Sequence, residues 1–298
     1  MKILLLGKNG QVGKELQRSL SALGKLVALD RNDANLEDLP RLAETLRRHS
    51  PDIIVNAAAY TAVDKAEEDR AAAFKTNAEA VATLAGYAKE TNALLIHYST
   101  DYVFDGEKKG AYIESDAPNP LSVYGKSKLK GEQAILDSQC NALIFRTSWV
   151  FSVHGSNFVK TILRLASEKD RLSVIADQFG APTSADLIAD FTALAITDYR
   201  SGTIDNGIYH LTATGETSWH GLAKQVVQQA IAKGACLILK PKNIEAIPTE
   251  AYPLPAKRPK NSRLDSSLLA DELDLTLPNW KIDVNRVVEQ LVKGEVHS

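Results

Sequence analysis

Ile3-Leu4-Leu5-Leu6-Gly7-Lys8-Asn9-Gly10-Gln11-Val12-Gly13 leads from an apolar run through three spaced glycines into what reads as a first helix. A strand that turns through glycines into a helix offers backbone N–H groups and the positive helix end to an anion, which is how a dinucleotide pyrophosphate is held. The spacing is G-x-x-G-x-x-G, not G-x-G-x-x-G, and glycine clusters also form plain turns, so the position between strand and helix carries the reading. Outward from this turn the rhythm repeats. Apolar runs at Leu26–Leu29, Ile53–Val55, Leu94–Tyr98 and Leu143–Phe145 alternate with segments rich in Ala, Leu, Lys and Glu, with helices expected at Pro40–His49 and Ala71–Lys89. Such alternation predicts an α/β fold, a Rossmann-type doubly wound parallel sheet with helices on both faces.

After Trp149 the rhythm loosens, and from Ile247 to Pro259 the chain is proline-rich, with Lys257, Arg258, Lys260 and Arg263 alongside. Proline there rules out a central strand or a helix interior. The expected organisation is a dinucleotide-binding domain over 1–148, with 184–215 returning to it through Ile208–Leu211, and a smaller lid over 149–183 and 216–298.

With 298 residues, 44% hydrophobic and 24% charged, the chain can bury a full core. A net charge of −2 gives no global basic field and argues against nucleic acid as a partner, while small anionic ligands remain open. Cys140 and Cys236 belong to no metal-spaced cluster and read as reduced, mostly packed thiols, which fits a cytoplasmic protein. The apolar N-terminal run is too short for a signal core or a membrane span, so no membrane partner is expected. The histidines fall on no metal-ligand spacing and read as ordinary polar residues.

The chemistry gathers at strand ends. Asp30 and Arg31 close the second strand, where an acid bonds ribose hydroxyls and an arginine receives a 2′-phosphate, so NADH and NADPH both remain open. Asn56-Ala57-Ala58-Ala59 follows the third strand, its small side chains suited to a cofactor lying on the backbone or simply to tight packing. Ser99-Thr100 closes the fourth, where a hydroxyl can bond a substrate carbonyl. Tyr124 and Lys128 stand four apart at the start of a helix and so share a face; a cation near a phenol pulls its pKa toward the working range. A half-buried tyrosine with a snorkelling lysine has the same spacing. Glycine turn, strand-end hydroxyl, Tyr and Lys come in the order a dinucleotide oxidoreductase requires.

These residues, together with NAAAYTAVDK at Asn56–Lys65, HYSTDYVFDG at His97–Gly106, FRTSWVF at Phe145–Phe151, QFGAPT at Gln178–Thr183 and RPKNSRL at Arg258–Leu264, give a chain that resembles the extended short-chain dehydrogenase/reductase superfamily, in its branch of sugar-nucleotide reductases. The resemblance implies NADPH- or NADH-dependent reduction of the 4-keto group of dTDP-4-dehydro-β-L-rhamnose to dTDP-L-rhamnose. It implies Thr100, Tyr124 and Lys128 as catalytic; Gly7, Gly10, Gln11, Val12, Asp30, Ala57, Ala58 and Ala59 as cofactor-binding, with Arg31 beside them; and Thr61, Val63, Asp101, Tyr102 and Trp149 near the dTDP-sugar. Arg258, in the proline-rich basic segment, is expected to cover the sugar nucleotide's diphosphate with Trp149. Related dehydratases carry Asp-Glu after the strand-end Thr for elimination, whereas Asp101 is followed here by Tyr102, which disfavours dehydration. Another reading is a non-enzymatic regulatory subunit like the β subunit of methionine adenosyltransferase, which resembles the same branch; retention of Thr100, Tyr124 and Lys128 favours an enzyme. The resemblance further suggests a homodimer assisted by Mg²⁺ on Glu15, Asp186 and Asp190, the latter two sharing a face of a helix expected at Ser184–Thr197.

Overall fold

The computed structural model describes residues 1–296. Five parallel strands, β1 (Lys2–Leu6), β2 (Lys25–Leu29), β3 (Ile53–Asn56), β4 (Leu94–Thr100) and β5 (Ala142–Thr147), are joined at the far edge by Gly207–His210, so that the sheet reads Gly207–His210, β5, β4, β3, β1, β2. All five pairings are parallel, with β1 flanked by β2 and β3. The chain therefore reverses direction across the sheet at β1, and the crevice at that switch, outside the strand ends, is where open α/β sheets bind ligands.

The inner strands β1, β3, β4 and β5 are near-continuous apolar runs buried on both faces, as a parallel sheet requires. In β1, Ile3 and Leu5 join one core with Leu143, Phe145, Ile188, Val226 and Val284, while Leu4 and Leu6 join the other with Leu42, Leu46, Leu84 and Leu95. The first core runs from the sheet into helices Phe158–Glu168, Trp219–Ala232 and the C-terminal helix Trp280–Val296, so the second half of the chain is packed onto the sheet through shared apolar side chains.

The helix Leu39–His49 starts where Asp38 accepts from the Arg41 N–H and Pro40 occupies the first turn. The helix expected over Ala71–Lys89 exists as Arg70–Phe74 and Ala80–Thr91, joined by a π-helical turn at Lys75–Glu79. That turn presents Asn77, whose amide bonds both the N–H and the C=O of Tyr60 and the Ser127 hydroxyl. One buried side chain thus ties the loop after β3 to the helix Val123–Ser138 that carries Tyr124 and Lys128.

In the second half, small two-stranded pieces pair Leu172–Ile175 with Ile244–Ile247, Val150–Phe151 with Thr183–Ser184, and Phe179–Gly180 with Thr217–Ser218. No helix among the described residues is long and apolar enough to cross a membrane. Both cysteines are free; Cys140 is buried as expected, but Cys236 is exposed, which corrects the reading of two packed thiols.

Candidate active site

β1 ends at Gly7, whose φ of +86° suits only glycine comfortably, and the helix Gln11–Ser21 starts from Gly10 with no side-chain cap. Its first N–H groups therefore have no side chain competing for them. A Cβ on Gly13 would run into the Gly7 carbonyl oxygen. Gly13→Ala is expected to cost about 1–3 kcal/mol by forcing this turn open and to weaken NADP⁺ binding in parallel; urea unfolding and a fluorescence titration with NADP⁺ measure the two.

This turn opens into a cleft of about 820 Å³. Gly7, Gly10, Gln11, Val12, Asp30, Arg31, Ala57, Ala58, Ala59, Thr61, Val63, Thr100, Asp101, Tyr102, Tyr124, Lys128 and Trp149 all line it, so the fold brings together every cofactor, substrate and catalytic candidate except Arg258. Arg258 is not among the lining residues: it grips Asp64 with Nη1 to Oδ1 at 3.0 Å and Nη2 to Oδ2 at 2.7 Å. No residue of Lys257–Arg263 lines the cleft; Lys260 is engaged by Glu250 and Asp177, and Arg263 by Glu216. Arg258, Lys260 and Arg263, expected to face a diphosphate, thus hold the segment to its own protein.

At the adenosine end Asp30 is fixed by the Asn32 N–H at 2.9 Å and by Asn9 and Lys8; the Asn32 N–H above all, with the Asp33 N–H and Lys8, holds its carboxyl below the usual range. Arg31 is exposed and paired with Glu37 at 2.5 Å. Neither Lys8 nor Glu37 stands out in the sequence as a site residue, because a charge in a loop has no periodicity.

At the other end, the helix Val123–Ser138 begins where the Ser122 hydroxyl accepts from the Gly125 N–H at 3.1 Å. Gly125 packs so closely on the Tyr102 carbonyl that a Cβ would collide with it, and this draws Tyr124 against the end of β4. The Tyr124 and Tyr102 rings meet edge to face at 5.6 Å. Burial pushes the Tyr124 phenol up to about 12, with the Thr100 hydroxyl opposing and Asp101 reinforcing. The expectation that Lys128 lowers this phenol is not met in the cleft as it stands. Lys128 Nζ donates instead to the Tyr98 carbonyl at 2.5 Å and contacts His97 Nε2 at 3.2 Å. Burial brings its own pKa down to about 8, Glu132 pulling the other way.

Thr100 donates to Asp101 Oδ1 at 3.0 Å and accepts from the Tyr102 N–H at 3.2 Å. Burial raises Asp101 to about 6, with the Ser262 and Thr100 hydroxyls opposing. Ser99 Oγ, Asp101 Oδ2 and Thr147 Oγ1 are buried in residues that line the cleft and have no protein hydrogen-bond partner, whereas buried polar atoms normally bond to protein, ordered water or a ligand. Together with the glycine cradle they fit a dinucleotide and a hydroxylated substrate. Trp149 adopts φ +51°, unusual for a bulky residue, and stacks on Trp219 with centroids 3.6 Å apart. Trp219 was not anticipated, since its partner lies far away in sequence.

The metal reading does not survive. Asp190 accepts from Arg18 and from Ser19, each at 2.6 Å; Asp186 is paired with Arg286; and Glu15 lies 3.4 Å from His154. Asp186 and Asp190 are thus each held by an arginine of their own chain, and Glu15 lies beside a histidine. Among the described residues no group of three or more His, Cys, Asp or Glu could hold a metal. The repulsion between Asp186 and Asp190 is relieved by arginines, so Mg²⁺ is not required.

An open parallel sheet, a bare helix N-terminus behind a glycine turn and a Thr-Tyr-Lys cluster at the neighbouring strand end define the class: a nicotinamide-dependent oxidoreductase of the extended short-chain dehydrogenase/reductase type. Within it the chain belongs to the family described as RmlD substrate binding domain, whose model matches residues 1–293. It is 50% identical to the dTDP-4-dehydrorhamnose reductase of Salmonella typhimurium, over 98% of each chain. It is 48% identical to that of Burkholderia thailandensis, over 98% of this chain and 99% of the relative. Among solved structures, a dTDP-4-dehydrorhamnose reductase from Clostridium acetobutylicum superposes with a TM-score of 0.89 at 34% identity, covering 98% of this chain and 99% of that one. The Bacillus anthracis dTDP-4-dehydrorhamnose reductase in complex with NADP superposes with a TM-score of 0.87 at 32% identity, covering 97% and 99%.

Proposed function

We propose that the chain is an NAD(P)H-dependent reductase that converts dTDP-4-dehydro-β-L-rhamnose to dTDP-L-rhamnose. The observation that carries this reading is the convergence of Thr100, Tyr124 and Lys128 with the glycine turn on one cleft, in a chain half identical to enzymes of that name. Gly7, Gly10, Gln11 and Val12 hold the pyrophosphate, Asp30 the adenosine ribose, and Ala57–Ala59 form the wall. Bound there, the reduced nicotinamide supplies the hydride to C4 of the sugar. Tyr124, a neutral phenol at rest, gives its proton to the oxygen at C4 as charge develops there. The Thr100 hydroxyl, turned from Asp101 Oδ1, donates to the same oxygen, Lys128 bonds the nicotinamide ribose, and Asp101, Tyr102, Thr61, Val63 and Trp149 receive the sugar nucleotide.

Turnover decides the matter. The purified chain is incubated with dTDP-4-dehydro-6-deoxyglucose, a 3,5-epimerase and either reduced cofactor; loss of nicotinamide absorbance with formation of dTDP-rhamnose is the expected result. Binding of nucleotide without turnover would favour a regulatory role instead.

Both cofactors should serve, because Asp30 suits ribose hydroxyls and Arg31 a 2′-phosphate. Glu37 holds Arg31 and lines the cleft, so it competes with such a phosphate. Glu37→Gln should shift the ratio of kcat/KM for NADPH over NADH upward by up to about fivefold, the range of a partly exposed ion pair; an unchanged ratio speaks against this role for Arg31.

Arg258 acts through Asp64, the residue after Val63. Arg258→Glu should loosen the wall on the sugar side and raise KM for the sugar nucleotide much more than for NADPH. Equal effects on both would count against it.

A further inference from the structure

His97, on β4, is 1% exposed, and both of its ring nitrogens have partners. Nδ1 lies 3.2 Å from Asn56 Nδ2, and Nε2 lies 3.2 Å from Lys128 Nζ. The Asn56 amide is oriented by its other end, where Oδ1 accepts from the Ala58 N–H at 3.3 Å. That leaves the NH₂ group facing the ring. An amide NH₂ only donates, so Nδ1 has to accept. A neutral imidazole carries one proton, which then sits on Nε2 and faces Lys128. Nζ can accept that proton only as the free amine; an ammonium there would set donor against donor.

We propose that His97 is a positioning residue for the reduction: held by Asn56 in the Nε2–H tautomer, it aims the Lys128 nitrogen and favours its neutral amine in the cofactor-free cleft. The role rests on the reductase reading, whereas the tautomer is a property of the resting protein. Against Nζ lie His97 and the Tyr98 carbonyl from β4, and Tyr124 and Glu132 stand one turn before and one turn after Lys128 on its own helix, Glu132 close enough to act on its charge. Arg146 from β5 holds Glu132, and Asp101 lies beyond Tyr124. Burial of Lys128 acts in the same direction as the tautomer, and burial is also the main cause that keeps His97 itself from charging.

The arrangement has a mechanical consequence. For Lys128 to become an ammonium, His97 has to carry its proton on Nδ1 and the Asn56 amide has to turn over, releasing the Ala58 N–H. Ala58 belongs to the strip Ala57–Ala59 along the cleft wall. The charge on the lysine is thereby linked to the backbone against which a cofactor would lie.

The test is ¹⁵N NMR of the imidazoles in the cofactor-free full-length protein, with His97 assigned by the loss of its signals in His97→Gln, combined with a ¹³C titration of the Lys128 Cε. Above the lysine midpoint Nδ1 should be unprotonated and Nε2 protonated, and the tautomer should reverse as the lysine charges. His97→Leu, which removes the donor to the amine, should raise the lysine midpoint by about one unit, a tenfold change in proton affinity. In His97→Gln the amide can donate to Nζ and accept from Asn56, so the midpoint should stay near that of the wild type. An Nδ1–H ring at every pH, an imidazolium, or an unmoved midpoint in His97→Leu overturns the proposal. If His97→Leu does not fold, the wild-type spectra alone decide. Absence of turnover with the expected tautomer would remove the reductase reading and leave the Asn56–His97–Lys128 geometry standing.

Discussion

Replacing Tyr124 by Phe should lower kcat by about a hundredfold or more, the usual loss when a positioned proton donor is removed. NADP⁺ affinity, in contrast, should change by no more than a few-fold. The ring stays: its edge-to-face contact with Tyr102 and its place in the first turn of Val123–Ser138 do not depend on the hydroxyl. What disappears is a phenol that sits beside both Thr100 and Asp101. Because burial keeps this phenol protonated, the resting enzyme already holds the proton that reduction consumes. The rate should therefore not rise steeply with pH as it would if a phenolate were the working form. Steady-state rates with saturating cofactor and keto sugar, together with a fluorescence titration of NADP⁺, separate the two effects. Near-normal kcat in Tyr124→Phe would remove Tyr124 from the chemistry.

The sequence made the sheet legible because its inner strands are buried on both faces and read as unbroken apolar runs, from Ile3–Leu6 to Leu143–Phe145. The cleft was legible for a related reason: Gly7, Asp30, Ala57, Thr100 and Trp149 all lie at or just beyond strand ends, so knowing the strands locates the residues. What could not be read was set by partners distant in the chain. Helical periodicity puts Lys128 on the face of Tyr124, but nothing local says that its amine turns to His97 and Tyr98 on a strand about thirty residues earlier. His97 itself read as an ordinary polar residue for the same reason. The π-helical turn at Lys75–Glu79 answers to Tyr60 and Ser127 and not to its own propensities. Asp186 and Asp190 resembled a cation site because Arg286 and Arg18 lie about a hundred and about 170 residues away. Arg258 was expected over the ligand, and Asp64 claims it from an equally remote position.

Substituting Arg146 by Met should destabilise the protein by about 3–5 kcal/mol, the usual penalty for leaving a buried charge without its partner. Arg146 is 2% exposed in β5, opposite Ser99, and grips Glu132 with Nε to Oε1 at 3.0 Å and Nη2 to Oε2 at 2.6 Å. Its guanidinium also lies 5.1 Å from the centre of the Phe104 ring. Remove it, and Glu132, 1% exposed, has to stay charged in an apolar setting or take up a proton. The double variant Glu132→Leu with Arg146→Met should recover most of the loss, since a buried pair replaced by apolar side chains of similar volume is often neutral. Urea unfolding distinguishes these outcomes: the single variant's midpoint should fall at an unchanged slope, and the double variant's should return toward the wild type. The recovery should not extend to the site. Glu132 lies one helical turn beyond Lys128 and is the group that opposes its loss of charge, so without that carboxylate the amine should titrate below its present value of about 8. A double variant as stable as the wild type, with the Lys128 titration moved to lower pH, would identify the pair as an electrostatic support for the lysine. A single variant within about 1 kcal/mol of the wild type, no more than an exposed ion pair contributes, would show that Glu132 finds relief elsewhere.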